Sequence, residues 1–125
     1  MLGDKGATAT VAVKNAEAAR KFYEVKLGLQ QGPATGPGVL AYKAGNTAIL
    51  VYESEYAGTN KATAVTWPVG DEVDRLVQDL KAKGVGFEKY EFPGTTHEGD
   101  VHVHGEMRVA WFKDPDGNIH ALVNK

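Results

Sequence analysis

Three side chains able to bind a metal or move a proton alternate along one stretch, Val101-His102-Val103-His104-Gly105-Glu106, and His97 precedes them. On an extended chain, alternation turns His102, His104 and Glu106 to one side. Two chemistries follow: a divalent metal site, or a histidine general base reaching over a cleft. A zinc site needs three or four ligands in fixed geometry, and Gly105 interrupts the regularity. The expected reading is therefore a solvated loop leading into a strand, with His102, His104 and Glu106 kept as an alternative metal set. Glu53 and Glu55 also alternate at the end of an apolar run, which reads as a solvated edge because glutamate is rarely buried unpaired. With no cysteine in the chain, thiolate ligands, thiol nucleophiles and disulfides are all excluded. Neither a nucleophile–base arrangement nor a phosphate loop is visible, since Gly36-Pro37-Gly38 and Gly84-Val85-Gly86 lack the strand–helix context of one.

Composition narrows the partners. The net charge is −2 and the basic residues are scattered, so neither nucleic acid nor an acidic membrane surface is an expected partner. No run approaches the roughly 20 apolar residues that span a bilayer. The N-terminus has no signal-peptide core, and the expected setting is cytoplasmic.

The elements that must position these residues repeat. Ala7 to Val13 reads as a strand. Asn15 reads as a helix cap, and Ala19, Phe22, Tyr23 and Leu27 fall at helical spacing up to Gly28. Leu29 to Ala34 is a weak strand. Val39 to Lys43 and Thr47 to Glu53 are strands joined at Ala44-Gly45-Asn46. Glu55 to Lys61 is a polar connection. The order then restarts: a strand over Ala62 to Pro68, and a helix over Asp71 to Lys83 with Val73, Leu76, Val77 and Leu80 on one face. A strand over Val85 to Phe92 and a long polar loop over Pro93 to Gly105 follow. Strands at Val109 to Phe112 and Ile119 to Val123 close the chain around Asp114-Pro115-Asp116-Gly117-Asn118, a turn by its chemistry. Gly45-Asn46-Thr47-Ala48-Ile49-Leu50-Val51 parallels Gly117-Asn118-Ile119-His120-Ala121-Leu122-Val123. Two halves of like order and a match at the same place in each point to an internal repeat. Residues 1–125 are read as one domain, with a first module over about 7–56 and a second over about 62–125.

This order, with V-x-N-x-E-x-A-x-x-F-Y at Val13 to Tyr23 and D-P-D-G-N at Asp114 to Asn118, resembles the vicinal oxygen chelate superfamily of glyoxalases, bleomycin-resistance proteins and extradiol dioxygenases. The resemblance implies an α+β fold. Two βαβββ modules would form an open, strongly curved mixed β-sheet around a cleft, closed within one chain or across a dimer with exchanged modules. In enzymatic members the cleft holds a divalent metal on His, Glu or Gln of the first and last strands. The matching positions are Thr8, seven residues before Asn15; Ala64, seven before Asp71; and Ile49 and Ala121, four after Gly45 and Gly117. None offers an imidazole or carboxylate. His120, beside Ala121, could ligate, but a lone histidine is not a site.

With that register, Thr8, Thr10, Ile49, Val51, Ala64, Thr66, Ala121 and Val123 would line the cleft, and Val11, Val13, Val65, Trp67, Leu50 and Leu122 would face the helices. Trp111 and Phe112 point to opposite faces, so one of them joins the lining, where a flat ring could stack on a planar ligand. Most of the aromatics on strands and strand ends, a group that includes Tyr90 and Phe92, read as core. The expected function is a metal-free, cofactor-free protein that binds or sequesters an uncharged or weakly cationic organic compound, aromatic ones included. It would resemble the bleomycin-resistance members. The alternative is a lyase or dioxygenase of the same superfamily with its metal moved to His102, His104 and Glu106. Unpaired edges of an open sheet lead to the expectation of a homodimer.

Overall fold

A computed structural model describes residues 1–33 and 36–125; Ala34, the end of one expected strand, lies outside them. Strand β1 (Ala9–Val13) leads to Asn15, whose side chain accepts a hydrogen bond from the Ala18 N–H at 2.9 Å and starts helix α1 (Ala16–Arg20). The Glu53 carboxylate accepts a second orphan donor, the Ala16 N–H, at 2.9 Å. This alternating glutamate is a cap for the helix. The helix does not stop at Arg20. It widens over Lys21–Lys26, where Leu27 N–H bonds back to the Phe22 carbonyl. The wider turn buries two successive aromatics, Phe22 and Tyr23. Gly28, at φ 72°, ends it.

Strands β2 (Gln30–Gln31), β3 (Val39–Ala44) and β4 (Thr47–Glu53) complete a first sheet in the order β1-β4-β3-β2, with β1 parallel to β4. A second sheet holds β5 (Thr63–Pro68), β7 (Thr96–Glu98), β8 (Val101–His104), β9 (Met107–Lys113) and β10 (Ile119–Val123), ordered β5-β10-β9-β8-β7, with β6 (Phe87–Glu88) also paired to β9. Helix α2 (Val73–Ala82) precedes β6 and buries Val73, Val77 and Leu80. Both sheets are mixed and open, and the fold is α+β.

Two expectations are corrected. The stretch read as a polar loop forms the β7–β8 hairpin, because His97 faces His102 and Thr96 faces Val103 across it. The strand expected over Val85 to Phe92 shrinks to Phe87–Glu88. Beyond Glu88, β9 gives its pairing positions to β8 instead.

One core joins both modules. Val11, Val13, Ile49 and Val51 of the first sheet pack with Phe22, Tyr23, Val73 and Val77 of the helices and with Phe112 and Leu122 of the second. Among the described residues, no helix is long and apolar enough to cross a membrane.

Candidate functional site

Helices cover one face of each sheet, so side chains on the opposite faces are free to meet a ligand. On β1 and β4, Thr10 pairs with Leu50, and Val11 with Val51. Val11 and Val51 are buried in the core, which places Thr8, Thr10 and Leu50 on the open face. This corrects three assignments. Ile49 (2% exposed) and Val51 (0%) face the helices, and Leu50 does not. The reason is turn length. Gly45-Asn46 is itself the two-residue turn between Ala44 and Thr47, whereas Gly117-Asn118 ends a five-residue loop between Lys113 and Ile119. Aligning the two Gly-Asn pairs therefore slips the first module by one residue, which exchanges its faces.

On β10, Ala121 pairs with Thr66 on one side and Trp111 on the other, so these three share the open face of the second sheet. Phe112 sits opposite His120 and is buried in the core. Trp111 is thus the ring on the open face. Ala64 is an extra residue on β5, between the pairs Thr63–Ile119 and Val65–His120. It borders a groove of about 480 Å³ between the modules, together with Thr66, Ile49 and Ala9. The eight expected lining residues therefore do not form one cleft. They divide between two open faces, this groove and the core.

The open face of the second sheet has the most developed geometry. Trp111 packs edge-on against Tyr90 at 5.2 Å between ring centres, and Phe92 lies 5.9 Å away. Trp111 Nε1–H donates to Thr63 Oγ1 at 3.3 Å. Two adjoining hollows of about 260 and 170 Å³ share Phe92 and Trp111 as walls. The larger is closed by Thr63, Tyr90 and Ile119 with Lys61 at its rim, the smaller by His102, His104 and Val109. The larger alone approaches the lower end of small-molecule sites, ~300 Å³, and the two together pass it. By type most strand aromatics belong to the core; Tyr90 and Phe92 do not. Their spacing, two residues apart after the short pairing at Phe87–Glu88, is the signal that both face one way.

His102 is 3% exposed, which overturns the solvated-loop reading. Its Nε2 accepts the Tyr90 N–H at 2.8 Å. Burial, and then the neighbouring His97, hold its pKa below the ordinary histidine value. His97 Nε2–H donates to the Tyr90 carbonyl at 3.0 Å, and exposed His104 lies 3.3 Å from Thr95 Oγ1. Glu106 is in the β8–β9 turn, exposed. Among the described residues, no three His, Asp or Glu side chains converge on a point where an ion could sit. The alternative set of His102, His104 and Glu106 is not brought together: His102 is buried with Nε2 accepting from Tyr90, while His104 and Glu106 are exposed.

His120 is a different case. It is fully buried in the core between Phe112, stacked at 4.8 Å, and Trp67. Trp67 Nε1–H donates to its Nδ1 at 3.0 Å, so the ring proton is on Nε2. That Nε2 is 3.1 Å from the Tyr23 hydroxyl, which donates to Asp114 Oδ2 at 2.7 Å. Asn118 Nδ2–H donates to the same oxygen and to the Ala12 carbonyl, each at 2.8 Å. This relay ties the widened helical segment Lys21–Lys26 of the first module to the last hairpin of the second. Burial pushes the His120 pKa down to about 4 and, with Asp114 beside it, holds the Tyr23 hydroxyl protonated.

Comparisons with known proteins agree with this architecture. The family model of the glyoxalase/bleomycin resistance protein/dioxygenase superfamily matches residues 7–122. The chain belongs to that superfamily. Among curated proteins none matches. Solved structures that share the fold include an integron cassette protein from the mobile metagenome of the Halifax Harbour sewage outfall. It is 22% identical with TM-score 0.72, over 97% of this chain and 99% of that one. The hexagonal form of the fosfomycin resistance protein FosX from Listeria monocytogenes is 17% identical with TM-score 0.73, over 96% and 92%. A lactoylglutathione lyase from Agrobacterium tumefaciens is 16% identical with TM-score 0.71, over 98% and 95%.

A metal of the kind enzymatic members hold does not fit here. With the register corrected, the inward positions of the first and last strands are Thr8, Leu50, Ala64 and Ala121. Three have no donor atom, and a neutral threonine hydroxyl is a poor ligand alone.

Proposed function

We propose that this chain is a metal-free small-molecule binding protein of the glyoxalase/bleomycin-resistance type, and that its ligand is an uncharged, partly aromatic organic compound seated against Trp111. The observation that carries this reading is the aromatic wall of Trp111, Tyr90 and Phe92 on the open face, beside Thr63 and Ala121 and away from buried charge. Flat rings supply area and stacking, and an unpaired ionised group buried there would cost several kcal/mol. The test is a titration with 1-naphthol, inorganic phosphate and succinate, followed on the Trp111 indole N–H resonance, with elemental analysis of the same sample. 1-Naphthol should shift the resonance and the two anions should not. Trp111→Ala should weaken 1-naphthol by about 0.5–1.5 kcal/mol beyond the lost area. Binding of the anions alone, or about one metal ion per chain surviving dialysis, would overturn the reading.

The ligand site is completed in a homodimer by the first sheet of a second copy. Neither hollow beside Trp111 draws a residue from the first sheet. That sheet's own open face, with half-buried Leu50 and Tyr52 at 38% exposure, has no helix against it. A second copy would set this face opposite Trp111, and closed two-fold dimers are the commonest assembly. Light scattering at tens of micromolar (roughly, far above a nanomolar Kd) should give twice the chain mass of 13.4 kDa, about 27 kDa. A monomer under those conditions rejects the dimer.

A further inference from the structure

From Lys89 to Thr95 the chain crosses the open face of the second sheet as a strap, without pairing into it. Among the described residues, the strap's backbone bonds are few. Thr95 N–H reaches the Phe92 carbonyl at 3.2 Å, and the other two are at Tyr90. There the N–H is held by His102 Nε2 and the carbonyl by His97 Nε2–H. His97 and His102 are cross-strand partners on β7 and β8, their rings edge to face at 4.6 Å. Two side chains thus grip both backbone groups of the residue that leans on Trp111.

We infer that the His97–His102 pair is a pH-sensitive latch on the ligand site: neutral His102 holds the strap and its two aromatics against Trp111, and protonated His102 releases it. The role of the latch rests on the ligand reading above, but the latch itself is a property of the chain without ligand.

The chemistry of the acceptor supports this. An imidazole that accepts at Nε2 carries its proton on Nδ1. A second proton can go only to Nε2, which then has nothing to offer the Tyr90 N–H. The closed state is also imperfect. His102 Nδ1 is buried with no hydrogen-bond partner among the described residues, and an unpaired buried donor favours the state that exposes it to water. Backbone groups of Val109, Asp100 and Tyr90 near the ring favour its charged form, but burial and His97 outweigh them. His97 on β7 repels a second positive charge. The Tyr90, Phe92 and Trp111 rings around it are neutral. Asp100, at the β7–β8 turn, is bonded to Lys81 at 2.7 Å, and Arg108 on β9 is held by Asp74 and Glu98. His104, further along β8, is exposed beside Thr95. The closed strap requires neutral His102, so acid favours the open strap, beginning below the ordinary histidine pKa of 6.5.

The test is nuclear magnetic resonance of the whole chain from about pH 7.5 to about pH 5, without ligand and then with 1-naphthol. The Tyr90 amide and the His102 ring should titrate with one midpoint. Tyr90 protection, corrected for the intrinsic pH dependence of exchange, should fall about tenfold per pH unit below it. Core amides of β1 and β4 should stay protected. His102→Gln keeps an acceptor that does not titrate, and should hold Tyr90 protected throughout. Different midpoints for Tyr90 and His102 in the unsubstituted chain, or the same loss in His102→Gln, would overturn the latch. A Tyr90 response with no 1-naphthol binding at any pH upholds the latch and rejects the ligand reading. Binding without a Tyr90 response does the reverse.

Discussion

Replacing Asp114 with Ala should destabilise the fold by about 3–5 kcal/mol, because breaking a buried hydrogen-bonded network is among the few causes of large losses. Asp114 is 4% exposed and its carboxylate accepts four hydrogen bonds. Oδ1 takes the backbone N–H groups of Asp116 and Asn118, and Oδ2 takes the Tyr23 hydroxyl and the Asn118 amide. Hydrogen bonds to a charged acceptor are worth about 1.5–3 kcal/mol each when buried. The donors left behind carry the larger penalty, because water cannot reach the Tyr23 hydroxyl. Asp114→Asn should do little better, since its amide nitrogen would face donors on one side. Tyr23→Phe should cost less, about 1–2 kcal/mol, because one hydroxyl is lost instead of four acceptor contacts. Urea unfolding of the three variants measures this directly. A loss under about 1 kcal/mol for Asp114→Ala would mean that the loop tolerates rearrangement and that the relay does not join the modules.

Lowering the pH from 7 to 4 should remove about 3 kcal/mol of stability through His120 alone. The native pKa is about 4 and the ordinary value is 6.5. Each unit of difference is worth ~1.36 kcal/mol. The sign follows from proton binding. Between these two values the unfolded chain binds a proton at His120 and the folded chain does not, so unfolding is favoured as pH falls. The contribution is fully present above pH 6.5, declines through the window and is gone below about 4. Buried His102 shifts the same way and adds to the slope. His120→Phe should be less stable at pH 7, because Trp67 Nε1–H and the Tyr23 oxygen lose their partner. It should also lose the His120 part of the slope between pH 6.5 and 4. Chemical unfolding at pH 7, 5.5 and 4 separates the two effects. A slope unchanged in His120→Phe would assign the acid sensitivity to other groups.

Much of the fold was legible along the chain because local rules operate there without competition. Asn15 caps α1 because its side chain finds a backbone donor three residues on, a contact that needs no tertiary structure. The apolar stripe Val73, Val77, Leu80 is buried because periodicity alone puts it on one face. The restart of the strand–helix order in the second half, with the Gly-Asn repeat, carried the two-module architecture, and the family model confirms the superfamily.

Facing was legible only where the turn was. The Asp114–Asn118 loop and the Gly45-Asn46 turn look alike in residue type but differ in length. Side-chain direction on a strand has a period of two, so the difference exchanged Ile49 and Val51 for Leu50 on the open face. Nothing in the local sequence sets that register; it is decided by the pairing of β4 with β1 and β3. The histidines carry the same lesson. His102 and His120 are equally plausible ligands by type, and both prove to be buried hydrogen-bonding groups. Their partners, the Tyr90 backbone, Trp67 and Tyr23, lie 12, 53 and 97 residues away in sequence. Sequence by itself determined the helices, the turns, the repeat and the poverty of metal donors at the inward positions, since each depends on residue type and near neighbours. Only the tertiary structure decided which ring faces the open side, what the histidines hold and how the modules are joined. Those are contacts between residues distant in the chain, made only once the sheets have chosen their faces.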